Sequence, residues 1–350
     1  MKRLITLLIA ALMLLTLASC GQSGGGEAAA DGSKEINIFM WSDYISDETI
    51  ANFESEYGVK VNLSYMNDNA DSITKLTAGA GSEYDLIMTC DAYMESLIQG
   101  GYLEELDLSQ IPNSENINKA YWSEENQGYC VPYLMNYIYV VYDTERCPIE
   151  ITSYNDLISP EMKGQIGSVD GVRNLFPIAL IALGYDPNST DENEIAEAYE
   201  WLTKYNENVV AYGSTETNIV NGTISCMLTY DGNAAEAMAQ MGEDNTLVVA
   251  PGFTDAVQLG FDLYVIPKGA AHMDLAYKFL DYICDPEVMA NNLVENPYSC
   301  PNDAAVEAAS EEYRNGPAFD FDYKTNIFFQ EDVGDAITIY DKYYQMLKVG

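Results

Sequence analysis

A single histidine, His272, occurs in 350 residues. A Ser-His-Asp or Cys-His nucleophile would have to be built on that one ring, and a multi-His metal centre has no material. His272 stands between Ala271 and Met273, where a helix should begin, and reads as a surface residue. Basic side chains are scarce as well: 16 Lys and Arg face 55 Asp and Glu, a formal charge of −39. Such a surface repels nucleic acid and anionic lipid and gathers cations. It is also a plain route to solubility, but on either reading an anionic ligand is disfavoured. No Gly-rich phosphate loop follows a strand and no internal repeat is evident. No two cysteines stand at CxxC spacing, so a zinc or thioredoxin-type site has no support. Paired-carboxylate chemistry of the glycosidase kind stays open, although in so acidic a chain such pairs arise by chance.

What is present begins with a leader. Lys2 and Arg3 precede an apolar run over residues 4–17 that is short for a membrane span and closes on small residues, as a secretory signal does. Leu17-Ala18-Ser19-Cys20 resembles a bacterial lipoprotein box, in which the cysteine takes the lipid and becomes the first mature residue. Residues 21–34 are rich in Gly, Ala and Ser without apolar periodicity, which makes a flexible tether. The expected organisation is therefore a signal over 1–19, a tether over 20–34 and a body hanging outside the cell. With 48% hydrophobic residues that body can bury a sizeable core. Beyond Cys20 it carries six cysteines, which an exported chain can pair or bury as free thiols.

The body reads as α/β. Residues 35–40 alternate as a strand. Ser46 can cap a helix with Ile50, Phe53 and Tyr57 on one face, Gly58 ends it, and 59–65 alternates again. A helix over 71–78 and an apolar strand over 84–89 follow, the pattern of an open parallel sheet. In such sheets ligands bind beyond the carboxyl ends of the strands. Trp41, Ser42, Asp43 and Tyr44 follow the first strand, Asn67 and Asp68 the second, and Cys90, Asp91 and Tyr93 the third. Aromatic faces and carboxylates both attract cations. Trp41 and Tyr44 packing over the sheet edge, with Asp43 facing a helix dipole, would explain the first turn without a ligand. Further on, 128–145 reads as two Tyr-rich strands. Residues 223–240 read as strand, turn and helix with Tyr230 and Asp231 on the turn. A strand over 260–270 and helices at "MDLAYKFLDYI" and "PEVMANNLVE" follow, the second capped by Asp285 with Pro286 at its first position.

"FMWSDYI", "YDLIM", "LGYDPNSTD", "FDLYVIPKGA" with "AYKFLDYICDPEVM", and "QEDVGDAITIYDKYYQMLK" occur in an order and spacing similar to the polyamine-binding lipoproteins of ABC importers, the spermidine/putrescine-binding class of solute receptors. The resemblance implies a two-lobed periplasmic-binding-protein type II fold, with lobes at 35–140 plus 260–305 and 141–259 plus 306–350. It implies a polyamine in the cleft between them, a permease partner, a membrane anchor, no enzyme activity, no cofactor or metal, and a monomer. Crossing strands are expected over 136–143, before Gly260 and between Asn302 and Phe329. Trp41, Ser42, Asp43 and Tyr44 match the family's first-turn element, with Asp43 as an ammonium ligand. Cys90 stands for a Ser, followed by Asp91 and Tyr93. Asp170 matches an acid whose usual partner falls here on Asn174. Tyr230 and Asp231 replace Trp and Asn, Gly260 replaces another Trp, and Asp262 is the central carboxylate. Tyr298 and Gln330 also match. Losing the acid at Asn174 should cost a long polyamine more than the room at Gly260 gains, so putrescine is expected to bind at least as well as spermidine. The competing readings are a receptor for another solute, such as an amino-sugar or a ferric ion held by Tyr343 and Tyr344, and an extracellular glycosidase.

Overall fold

The computed structural model describes residues 34–42 and 44–349. The leader, the tether, Cys20 and Asp43 lie outside the described residues. Ten strands follow in chain order: β1 (Glu35–Met40), β2 (Lys60–Tyr65), β3 (Leu86–Cys90), β4 (Cys130–Asp143), β5 (Ile166–Ser168), β6 (Val209–Tyr212), β7 (Cys226–Tyr230), β8 (Leu247–Val249), β9 (Val257–Val265) and β10 (Ile327–Phe328).

The first βαβ unit forms as its pattern predicts. Ile36, Ile38 and Met40 are fully buried. Ser46 Oγ accepts the Thr49 N–H at 3.1 Å, Asp47 and Glu48 meet the positive end of the helix Asp47–Tyr57, and Gly58 ends it at φ 62°. Phe53 packs edge-on to Phe279 at 5.1 Å, which seats this helix on Met273–Ile283. β1 runs parallel to both β2 and β3.

The sheet order is β2-β1-β3-β9-β4-β7-β5-β6, with β10 on β9 and β8 on β4. Two triplets of mutually parallel strands, β1 to β3 and β5 to β7, flank the antiparallel pair β4 and β9. This is the two-lobed α/β arrangement. The segment expected as two strands is one, β4, all fourteen of whose residues are buried. Pro132 does not break it, because the register slips between Pro132 and Leu134 and absorbs the missing N–H in a bulge. β4 pairs with β9 up to Ile138 and with β7 from Ile138 onward, on its other side, so one strand serves both halves of the sheet.

Two expectations need correction here. Tyr230 and Asp231 lie on no turn: β7 runs directly into the helix Asp231–Met241, with extended Tyr230 as its N-cap. His272 is half-buried, and its backbone N–H and Nδ1 both meet the buried carboxylate of Asp85, at 2.9 and 3.1 Å. Asp285 and Pro286 start the helix Pro286–Glu295 as predicted. The six body cysteines are free thiols, with only Cys147 partly exposed.

Candidate functional site

A cavity of about 840 Å³ lies where the carboxyl ends of both parallel triplets face each other across β4 and β9. Trp41, Ser42 and Tyr44 enter it after β1, Cys90, Asp91 and Tyr93 at the end of β3, and Tyr230 at the end of β7. Asp170, Asp262, Tyr298 and Gln330 complete the predicted residues that line it. Asp43 is outside the described residues.

Asp262 is the best-held group. It is 4% exposed, on β9, opposite Cys90 in the register with β3. Its Oδ1 accepts from Trp41 Nε1 at 3.3 Å, and its Oδ2 accepts from Tyr44 Oη at 3.2 Å and Asn136 Nδ2 at 3.0 Å. A carboxylate has about four acceptor sites, so one remains. Burial pushes its pKa up to about 6 against these hydrogen bonds. Asp91, partly buried, accepts the Phe261 N–H at 3.3 Å. Burial, with the charge of Asp262 added, pushes it to about 7. Neither carboxylate pairs with a basic side chain among the described residues. Burial and both acids together raise the Cys90 thiol well above its usual range, so Cys90 lines the wall as a neutral group.

Rings form the remaining wall. Tyr44 and Tyr298 meet at 4.8 Å and 44°. Tyr298 also lies over the start of the helix Asp231–Met241, where a Cβ on Gly232 would come within 2.5 Å of its ring. Asn174 donates to the Tyr230 hydroxyl at 2.8 Å, so the missing acid has become a positioner of that ring. Gln330 donates to the Arg173 carbonyl at 2.6 Å and ties the rim.

Asp231 is the predicted ligand that the structure turns away. It is fully buried at the first position of its helix, absent from the lining, and its Oδ2 takes the Ser299 N–H at 3.1 Å and the Ser299 hydroxyl. Adjacent residues at a helix start diverge, and here Tyr230 faces the cavity. Tyr343 and Tyr344 diverge likewise: Tyr344 lines the cavity while Tyr343 packs on Tyr199 at 5.2 Å, so they cannot share an ion.

Asn136, Glu216 and Glu236 are among the cavity residues that the sequence reading missed. Asn136 is polar inside an otherwise apolar strand, which is its signal. It sits opposite Gly260, taking part of the space a larger residue would fill. Glu216 is 7% exposed, hydrogen-bonded by Asn233, and pushed up by burial. Glu236 had no signal beyond its charge. Among the described residues the lining holds seven carboxylates, Asp68, Asp91, Asp170, Glu216, Glu236, Asp262 and Glu295, and one guanidinium, Arg173. Arg173 is tied into the wall, donating to Asn188 at 2.7 Å and to the Glu331 carbonyl at 3.2 Å.

A cavity between two α/β lobes, lined by side chains from both, is where a protein of this architecture holds a small solute. The chain belongs to the bacterial extracellular solute-binding proteins, whose family pattern it matches over residues 48–320. Its body accordingly works outside the cytoplasm. It is 30% identical over 337 residues to the spermidine/putrescine-binding periplasmic protein of Salmonella typhimurium, covering 93% of this chain and 95% of that one. Spermidine/putrescine-binding periplasmic protein 1 of Haemophilus influenzae is 28% identical over 99% of both chains. A solved Listeria monocytogenes chain, assigned to a spermidine/putrescine ABC transporter, superposes with a TM-score of 0.82 at 28% identity, covering 90% of this chain and 99% of that one.

Proposed function

We propose that this protein binds a polyamine, putrescine or spermidine, in the cavity and delivers it to an ABC permease without transforming it. The observation that carries this reading is Asp262: a buried carboxylate with three donors, a free acceptor site, a second acid beside it and no basic side chain paired with it among the described residues. An alkylammonium supplies what the pair lacks. Each charge-assisted hydrogen bond contributes about 1.5–3 kcal/mol and each ring contact about 0.5–2 kcal/mol. The methylenes between ammoniums match the walls of Trp41, Tyr44, Tyr230 and Tyr298, at about 0.8 kcal/mol per buried CH₂. The relatives named for spermidine and putrescine support the same ligand class. Calorimetric titration tests it: both polyamines should bind at one site, putrescine at least as tightly as spermidine.

The lobes are assigned to 35–140 plus 260–305 and 141–259 plus 306–350, supported by the exchange of strand partners at Ile138. The receptor acts as a monomer, anchored through a lipid on Cys20. Cys20→Ser is expected to release it from membranes with an unchanged thermal melt, because the sequence over 21–34 has no apolar periodicity with which to join a core. Fractionation after salt and carbonate washing checks this, and a variant still in the membrane pellet would point to another anchor.

A further inference from the structure

The helix Ile337–Val349 carries Tyr344 and Lys348 one turn apart, so both side chains leave one face. Both reach Asp170. Tyr344 Oη donates to its Oδ1 at 2.5 Å, Lys348 Nζ donates to the same oxygen at 2.6 Å, and the Gly171 N–H adds a third bond at 2.9 Å. The Lys348 ammonium also lies 4.2 Å from the centre of the Tyr212 ring and 5.3 Å from that of Tyr344. A carboxylate flanked by two phenol rings is the chemistry that recognises an alkylammonium. Here an ammonium of the chain itself fills it. Partial burial works against ionisation of Asp170, yet the bonds from Lys348, Tyr344 and Gly171 hold its carboxyl below the usual range. Asp170 and Tyr344 line the same cavity as Asp262, while Lys348 and Tyr212 meet Asp170 from beside that lining, at a partly exposed rim of the ligand space.

We propose that Lys348 determines specificity: its ammonium occupies the Asp170 subsite, so the cavity favours a ligand with two ammoniums over one with three. The inference rests on the polyamine reading. A diamine can use Asp262 and Asp91 and leave Lys348 in place. A triamine that reaches this end of the cavity must either displace Lys348 from Asp170 and its rings or leave that ammonium without the Asp170 carboxylate, which is costly. The depleted end of the site is thus a filled one, and the filling is reversible by mutation.

Lys348→Met keeps most of the aliphatic stem and removes the charge. Dissociation constants for putrescine and spermidine, measured by calorimetry at fixed ionic strength, supply the readout as a ratio. In Lys348→Met and in Lys348→Gln the preference should move toward spermidine by at least about tenfold. Lys348→Arg should keep the wild-type ratio, and Lys348→Met combined with Asp170→Asn should lose the gain. A ratio that stays constant in both neutral variants, while each melts like the wild type and still binds putrescine, would show that Lys348 only fastens the last helix, and would overturn the proposal. If the wild type binds neither polyamine, the polyamine reading itself fails, and the role of Lys348 with it.

Discussion

Asp262→Asn is expected to weaken polyamine binding by at least about tenfold, since a lost charged hydrogen bond is worth more than about 1.4 kcal/mol. The loss has two sources. The ammonium forfeits its anionic partner, and the surrounding hydrogen bonds must be rearranged. Trp41 Nε1 can only donate and holds the amide oxygen on its side, so the amide nitrogen faces Tyr44 Oη and Asn136, which must turn from donors into acceptors. Both effects are confined to the cavity, so the circular dichroism spectrum should not change. Calorimetric titration of the variant checks the expectation. An affinity within about threefold of the wild type would remove Asp262 from the central role.

Affinity should also fall by at least about tenfold between pH 8 and pH 5. The sign follows from the two cavity acids. Asp262 titrates at about 6 and Asp91 at about 7, both pushed up by burial from the ordinary 3.8. An aliphatic ammonium stays protonated throughout this window, with an ordinary pKa near about 10.4. The ligand therefore needs carboxylates that become protonated as the pH drops, and each unit below a pKa costs a single acid about tenfold in its ionised fraction. The free protein behaves oppositely. Between about pH 4 and 7 the folded state holds protons on Asp91, Asp231 and Asp262 that the unfolded chain has released, so these groups reduce stability as pH rises through that window. Asp231, bonded to Ser299 away from the cavity, contributes to that trend and not to affinity. Titrations at constant ionic strength should show the dependence and should show less of it in Asp262→Asn. A flat profile would mean that neither acid meets the ligand.

Much of the site is legible from one fact about α/β sheets, that chemistry gathers beyond the carboxyl ends of strands. Trp41, Tyr44, Cys90 and Asp91 follow from finding β1 and β3, and both strands carry strong apolar periodicity. Ser46, Gly58, Asp285 and Pro286 mark helix ends because capping chemistry is local. The rest needs three dimensions. Asp231 and Tyr230 are neighbours in sequence, and only the start of their helix decides that the ring faces the cavity and the acid faces Ser299. The bond between Lys348 and Asp170 joins residues 178 positions apart, and no local pattern announces it. β4 runs unbroken through the Tyr-rich segment, and the bulge that accommodates Pro132 depends on its partner β9. Glu216 drew no notice in a chain with 55 acids, and its burial against Asn233 is what separates it from the solvated ones.

Polyamine reception requires that the cavity recognise ammoniums through its carboxylates. Titration calorimetry of the purified protein with putrescine and spermidine, beside N,N′-diacetylputrescine, separates that from recognition of an apolar chain. The diacetyl compound keeps the four methylenes and loses both charges. Binding of the free amines at one site, putrescine at least as tightly as spermidine, with no measurable binding of the diacetyl compound at the same concentration, is the expected result. Equal affinities for putrescine and its diacetyl form, or no heat from either free amine at pH 8, would contradict it.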